Sequence, residues 1–507
     1  MPKPAADNAV SSPTKPIESV AFVSLGCVKN LVDSERMLGL LAADGIAVTP
    51  DATSADAIVI NTCGFLEASK EESMREINDA IALKEAGQVQ RVIVAGCLVQ
   101  RHKTKLLDDA PGIDRLVGVF DREHIVEAVR GETNPRQAHG HYLGKYHDLS
   151  NELAAKSGKA LEIVPGMGVV KASKKNRLPV FEDDRSRLRL TPRHFAYLRM
   201  SEGCNQGCAF CTIPSIRGPM RSKPIEQIFA EARELASDGA VELNLIGQDT
   251  TSYGTDLNAA YNLADLLRRL NKELPRDVQW IRLMYAYPTA FTDAMIDAIA
   301  ESDRVVKYID MPLQHISDRL LNVMKRRVTR KEIETLLHKL KTRVPGIAIR
   351  TTFIAGNPTE TEAEHEELVK FVKDFGFEHM GVFPYSPEPG TPMGRIAEQH
   401  DQATKDRWVE TLMLAQQDVV FKRNECRIGQ STDVIIDSAV SGAKGSYVYL
   451  ARHQGQAPDI DSVVHISSKT KLVPGDVVRV NYTDYQNYDL VAAVPVKKGR
   501  SLSVLKA

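Results

Sequence analysis

Three times in the first hundred residues an apolar run ends within one or two positions of a cysteine. The runs are SVAFVSLG before Cys27, AIVINT before Cys63 and RVIVAG before Cys97. Short Val- and Ile-rich runs of this kind read as strands buried on both faces. Between them, Ser34–Ala43 and Glu71–Glu85 show helical spacing. Strand–helix alternation predicts a parallel sheet with helices on both faces. Parallel strands would gather all three thiols at the carboxyl edge, where open α/β sheets build ligand sites. One cysteine in such a place is an ordinary small core residue. Three at equivalent places favour a shared ligand set, and three thiolates suit a cubane cluster with one iron left open.

A second trio is local. Cys204-Asn-Gln-Gly-Cys208-Ala-Phe-Cys211 is a C-x3-C-x2-C run directly after a predicted strand, Phe195–Ser201. Structural zinc wants four ligands, often as two C-x2-C pairs, and this loop offers three. Three soft thiolates on one tight loop suit three irons of a cubane, again with one iron open. Gly203 and Gly207 let the backbone fold closely around the metal. The seventh cysteine, Cys426, ends a predicted helix in a polar context and reads as an incidental thiol.

The length of 507 residues suggests about three domains. A composition of 43% hydrophobic and 26% charged residues is globular and excludes a wholly disordered or collagen-like chain. No apolar run approaches the roughly 18 residues of a membrane span. The lead, residues 1–17, has no apolar core and reads as disordered rather than as a signal peptide. Cysteines in such a chain point to a reducing cytoplasm. The 65 basic residues balance 66 acidic ones, so overall charge makes no case for a polyanion binder.

After the first α/β domain, residues 18–135, the stretch 136–193 is polar and aperiodic. From Lys145 to Arg193 it carries 11 basic and 6 acidic residues. It reads as a basic linker or insertion, either a solvated loop or a nucleic-acid contact. Residues 194–427 return to strand–helix alternation. Strands are expected at Phe195–Ser201, Val241–Ile246, Trp280–Met284, Val306–Met311, Ile347–Ile354 and Met380–Pro384, with helices such as Ile225–Ser237 and Lys331–Lys341. Six units are too few for a closed eight-stranded barrel and suit a partial (β/α)6 barrel. Residues 428–496 switch to five short strands with turn residues between them, as in a small OB-like β-barrel. Residues 497–507 form a tail.

The cysteine loop resembles the signature of the radical S-adenosylmethionine (AdoMet) superfamily. That resemblance implies a cluster whose open iron takes AdoMet and whose electron releases a 5′-deoxyadenosyl radical. It places Phe210 near the adenine and Gly247-Gln248-Asp249 near the AdoMet amino group; a generic loop is the other reading of Gly247–Asp249. The dispersed trio extends the resemblance. Ser24-Leu-Gly-Cys27-Val-Lys-Asn30-Leu-Val-Asp33-Ser-Glu35, Asn61-Thr-Cys63-Gly-Phe-Leu-Glu67 and Ala95-Gly-Cys97-Leu-Val-Gln100 are similar to the methylthiotransferase family. Its layout is an N-terminal domain, a radical AdoMet domain and a C-terminal TRAM domain. The resemblance implies two 4Fe–4S clusters, AdoMet as methyl donor and as radical source, and no catalytic residue beyond the cluster cysteines.

The family divides by substrate. Segments such as Ile213-Pro-Ser-Ile-Arg-Gly218, Gln248-Asp-Thr-Thr-Ser-Tyr-Gly254 and Met311-Pro-Leu-Gln-His-Ile316 resemble the branch that modifies the β-carbon of an aspartate in ribosomal protein S12. The other branch modifies adenosine beside the tRNA anticodon. From Ile428 to Pro495 there are 7 Asp and 5 Lys/Arg. A tRNA-binding barrel should be basic, whereas an acidic one suits a basic ribosomal protein. The resemblance further implies an electron donor such as flavodoxin or ferredoxin, no membrane, and nucleic-acid contact only through the ribosome. Asn357-Pro-Thr-Glu360 departs from the family's usual Phe-Pro-Gly-Glu. His315 reads as core packing or substrate contact. Tyr482, Tyr485 and Tyr488 read as strand residues or a stacking surface.

Overall fold

The computed structural model describes residues 16–131, 143, 183–257, 261–440 and 447–495. Residues 1–15 of the expected lead, the tail and most of the basic stretch 136–193 lie outside the described residues, while Ile17 of the lead packs in the first unit's core. The chain divides into two compact units, Met1–Leu190 with Thr212–Gly218, and Thr191–Cys211 with Pro219–Ala507.

The first unit is built on five parallel strands: β1 (Ser19–Ser24), β2 (Ala47–Thr49), β3 (Ala57–Thr62), β4 (Arg91–Gly96) and β5 (Arg115–Val117), in the order β2-β1-β3-β4-β5. Period-2 alternation sends successive side chains to opposite faces. Ile58, Ile60, Val92 and Val94 pack with Ile77 and Ala80 of helix Glu67–Glu85. Ala57, Val59, Ile93 and Ala95 pack with Met37 and Leu41 of helix Val28–Ala43. The sheet is therefore covered on both faces, as the sequence predicts.

Two features escape the periodicity. β2 and β5 are three-residue edge strands, too short to alternate visibly. Helix Val28–Ala43 also starts six residues before the expected Ser34. Its first turns carry Lys29, Asn30 and Asp33, which are buried polar residues and so break the apolar spacing. Asn30 Nδ2 donates to Leu25 O at 2.6 Å. Asp33 accepts from Arg122.

The second unit holds six parallel strands in simple chain order: β6 (Phe195–Arg199), then, after the two-residue pair β7 (Ser201–Glu202) and β8 (Arg221–Ser222), β9 (Glu242–Ile246), β10 (Trp280–Leu283), β11 (Val305–Asp310), β12 (Ala348–Ala355) and β13 (His379–Pro384). This is the expected partial (β/α)6 barrel. Leu198, Leu243, Leu245, Ile281, Leu283, Ile309 and Ile349 face the helices. The alternate positions are polar and equally buried: Tyr197, Glu242, Asn244, Arg282, Tyr308 and Asp310.

A closed five-stranded barrel follows helix Gln402–Arg427. It comprises β14 (Ser431–Val440), β15 (Tyr447–His453), β16 (Val464–Ser468), β17 (Val477–Gln486) and β18 (Asp489–Ala493), ordered β14-β15-β16-β18-β17. The loop between β15 and β16 answers the polar face of the large sheet. Tyr308 Oη donates to Asp461 at 2.8 Å, Tyr197 Oη to Asp459 at 3.1 Å, and Arg282 to Gln454 O at 2.8 Å. Glu242 lies between Arg282 and Arg452, 2.7 Å from each.

Candidate functional site

Cys27, Cys63 and Cys97 stand at the carboxyl ends of β1, β3 and β4, which are neighbours in the sheet. The three segments touch backbone to backbone. A Cβ added to Gly26, whose φ is +88°, would lie 2.7 Å from Cys63 Cβ, and one on Gly64 would lie 2.7 Å from Leu98 Cα. Cys27 caps helix Val28–Ala43 and is exposed; Cys97 begins helix Cys97–His102 and is buried.

The thiols feel one another. Burial pushes the Cys97 thiol up to about 12; Arg217 opposes this, while negative charge on Cys27 and Cys63 adds to it. Cys63 is raised by burial, with Cys27 adding to the effect. Three adjacent thiolates are therefore unfavourable alone and call for a cation, since the thiolate is the metal-binding form. Arg217, from the short helix Ile213–Arg217, donates from Nη2 to Cys97 Sγ at 3.2 Å and from Nη1 to Asp33 at 2.9 Å. Cys63 accepts support from its own helix, its N–H donating to Ser73 Oγ at 3.2 Å.

In the second unit the Cys204–Cys211 loop follows β6 and β7. Asp249, two residues beyond Gly247 at the end of β9, is buried and holds the loop through Gln206, whose Nε2 donates to Asp249 Oδ2 at 2.6 Å. Ser252 and Thr251 hydroxyls saturate the same carboxylate. Gln248 donates to Glu202, which also accepts from Arg199 at 2.7 Å. Any side chain at Gly247 would strike Ser201, with a Cβ only 2.4 Å from its Oγ. Burial pushes the Cys204 thiol up to about 11, with Asp249 and Cys208 adding.

The structure thus ties Asp249 to the cysteine loop through Gln206, with Gln248 on Glu202 and Gly247 against Ser201 just before the loop, and Phe210 of the loop packs with Ala209, Met324, Tyr385 and Met393. Among the described residues no group of three or more His, Cys, Asp or Glu side chains is placed to hold a metal ion. A cubane takes one thiolate per iron, so its cysteines need not converge on one ion. The two trios fit such a group by chemistry and by mutual repulsion.

Sequence reasoning missed Arg217, Arg326 and Tyr287. Arg326 donates to Cys208 Sγ at 3.7 Å and lies over the Tyr287 ring at 4.1 Å. No periodicity marks an arginine as a sulfur partner. His315 is fully buried: Nδ1 accepts from Ser317 N–H at 3.0 Å and Nε2 meets Glu360 at 3.3 Å. It serves the Asn357–Glu360 turn as packing. In that turn Asn357 donates to Ile354 O, and Thr359 takes φ +65°, a left-handed conformation where the family's glycine would sit without strain. Tyr482 is core, while Tyr485 and Tyr488 pack on Phe421. Cys426 is exposed in the last turn of its helix.

Comparison with known proteins adds three family matches: an uncharacterized protein family designated UPF0004 over residues 19–118, the radical SAM superfamily over 198–372 and the TRAM domain over 428–494. Among relatives, proteins named ribosomal protein uS12 methylthiotransferase RimO are 40% identical in Desulforamulus reducens, across 93% of this chain and 98% of that protein. In Anaeromyxobacter sp. strain K the figures are 40%, 93% and 92%, and in Geobacter sulfurreducens 39%, 94% and 98%. Among solved structures, the radical S-adenosylmethionine methyltransferase TsrM of Kitasatospora setae matches with a TM-score of 0.49 at 15% identity, over 74% of this chain and 75% of that one.

Proposed function

The chain belongs to the RimO family of ribosomal protein uS12 methylthiotransferases, and on that premise we propose that it places a methylthio group on the β-carbon of an aspartate of S12. It is a radical AdoMet enzyme. Two 4Fe–4S clusters and AdoMet, when bound, would pass on an electron from an external reductant, supply the carbon radical that removes an unactivated hydrogen, and supply the methyl group, while the transferred sulfur comes from added sulfide. The chain's own residues bind and orient these groups.

Cys27, Cys63 and Cys97 hold one cluster, and Cys204, Cys208 and Cys211 hold the other. Asp249 fixes the second loop by gripping Gln206, and Gln248 is held toward it by Glu202. Phe210 and Gly247–Asp249 line the AdoMet side. The convergence of Cys27, Cys63 and Cys97 at the ends of three neighbouring strands carries this reading, because radical AdoMet chemistry alone needs only the local trio. Among the described residues no helix is long and apolar enough to cross a membrane, and the reading places the enzyme in the cytoplasm with a small electron-transfer protein as reductant.

The test offers anaerobically reconstituted enzyme AdoMet, reductant and sulfide together with purified S12 and unmodified tRNA. A methylthio mass gain on an S12 aspartate is expected. A gain on tRNA adenosine alone refutes the substrate assignment.

A further inference from the structure

Arg326 is a buried cation with no carboxylate partner among the described residues. It is only 4% exposed. Its Nη2 donates to Pro312 O, its Nη1 to Cys208 Sγ, its plane covers Tyr287, and its Nε finds no partner. A buried guanidinium normally requires a counter-charge. The anionic groups its location offers are the sulfurs of the cysteine loop.

The backbone is bent to put it there. Lys325 has φ +55° and Arg327 φ +50°, two left-handed non-glycine residues flanking Arg326. Such conformations are costly and persist where surrounding structure enforces them. The enforcement is visible: Ala209 N–H donates to Met324 O at 2.9 Å, Arg326 N–H to Leu321 O at 2.9 Å, and Tyr287 Oη to Arg326 O at 2.8 Å. The cysteine loop and the strained turn are thus tied by a backbone bond one residue from Cys208.

We propose that Arg326 is a positioning residue of the Cys204–Cys211 site, whose guanidinium donates to the Cys208 sulfur and favours the more negative, reduced state of the cluster bound there. This rests on the reading that these cysteines carry a cluster. Hydrogen bonds and charge beside the sulfurs set the potential of such clusters, so removing the cation lowers it.

The full chain carrying Cys27→Ala, Cys63→Ala and Cys97→Ala holds a single cluster and serves as the parent. Iron per chain and a dithionite titration followed by electron paramagnetic resonance are the readouts. In Arg326→Met, iron per chain should equal the parent's. At the parent's midpoint the reduced-to-oxidised ratio should fall at least tenfold, which is about 59 mV for a one-electron couple. Arg326→Lys should keep that ratio within about threefold of the parent. If Arg326→Met does not load, Arg326→Gln, which keeps a donor and loses the charge, should show the same fall. A loaded neutral variant with an unchanged ratio overturns the proposal. So does loss of iron from Arg326→Lys, which would make Arg326 a folding residue. A parent without iron overturns the cluster reading itself and is told apart by the iron count.

Discussion

Glu242→Gln isolates a buried electrostatic joint of the second unit. Glu242 and Arg282 are fully buried and Arg452 nearly so, and the carboxylate lies 2.7 Å from a nitrogen of each. Burial alone would push the Glu242 carboxyl up, but Arg452 and Arg282 outweigh it and hold it below the usual range. Removing one member of a buried ionic group typically costs about 3–5 kcal/mol, because the survivors keep their charge without compensation. Here Arg452 retains Asp437 at 2.9 Å and Arg282 retains Gln454 O at 2.8 Å, so the low end, about 3 kcal/mol, is expected. At about 1.4 kcal/mol per decade this is on the order of 100-fold in the opening equilibrium of the small barrel's β15–β16 loop. Hydrogen exchange of peptides covering Gln454–Asp461 should accelerate by that factor at neutral pH, while the sheet of the first unit keeps its protection. An acceleration below threefold would refute the argument. A depressed carboxyl contributes stability present above its unfolded value and lost as pH falls through the folded one. Wild-type exchange of the loop should therefore approach that of the variant in acid.

Cys27→Ala should abolish methylthiolation and lower bound iron toward half, while AdoMet cleavage stays measurable; retained methylthiolation, read by mass spectrometry, would contradict the division of labour between the trios. Asp249→Asn should slow reductive AdoMet cleavage at least tenfold with iron content near wild type, since it weakens the Gln206 clamp and leaves the cysteines. Glu364, against Arg319 and Ser317 and capping helix Glu362–Phe375, is held down at about 2 despite some burial. Its contribution is complete above its unfolded value and disappears toward pH 2, so Glu364→Gln should flatten the acid limb of the thermal-stability profile.

Apolar periodicity made the central strands of both sheets legible, though not the short edge strands β2 and β5, because a parallel strand covered on both faces must be a continuous or alternating apolar run. It also placed the cysteines, since each sits where its run stops. The buried polar residues stayed hidden for the converse reason. Asp33 and Asn30 look like surface positions until Arg122, Arg217 and the Leu25 carbonyl are seen around them. Glu242, Arg282 and Arg350 look like the solvent side of amphipathic strands, yet they face partners more than 100 positions away in the small barrel. Arg217 and Arg326 lie 120 and 118 positions from the sulfurs they meet. Sequence spacing carries no signal at such range.

The two cysteine trios also differ in when they can come into being during synthesis. Cys204, Cys208 and Cys211 fall within one short loop, so the nascent chain carries a complete ligand set as soon as that loop is made. Cys27, Cys63 and Cys97 are 36 and 34 positions apart and meet only through the pairing of β1, β3 and β4. Iron delivered before β4 has joined the sheet meets at most two of the three thiols. On the proposed assignment, acquisition of a cluster by these thiols is coupled to completion of the sheet, and its binding energy is part of the folding energy of the unit. A cell short of iron would accumulate a first unit lacking that stabilisation, making this end of the molecule the more exposed to proteolytic turnover.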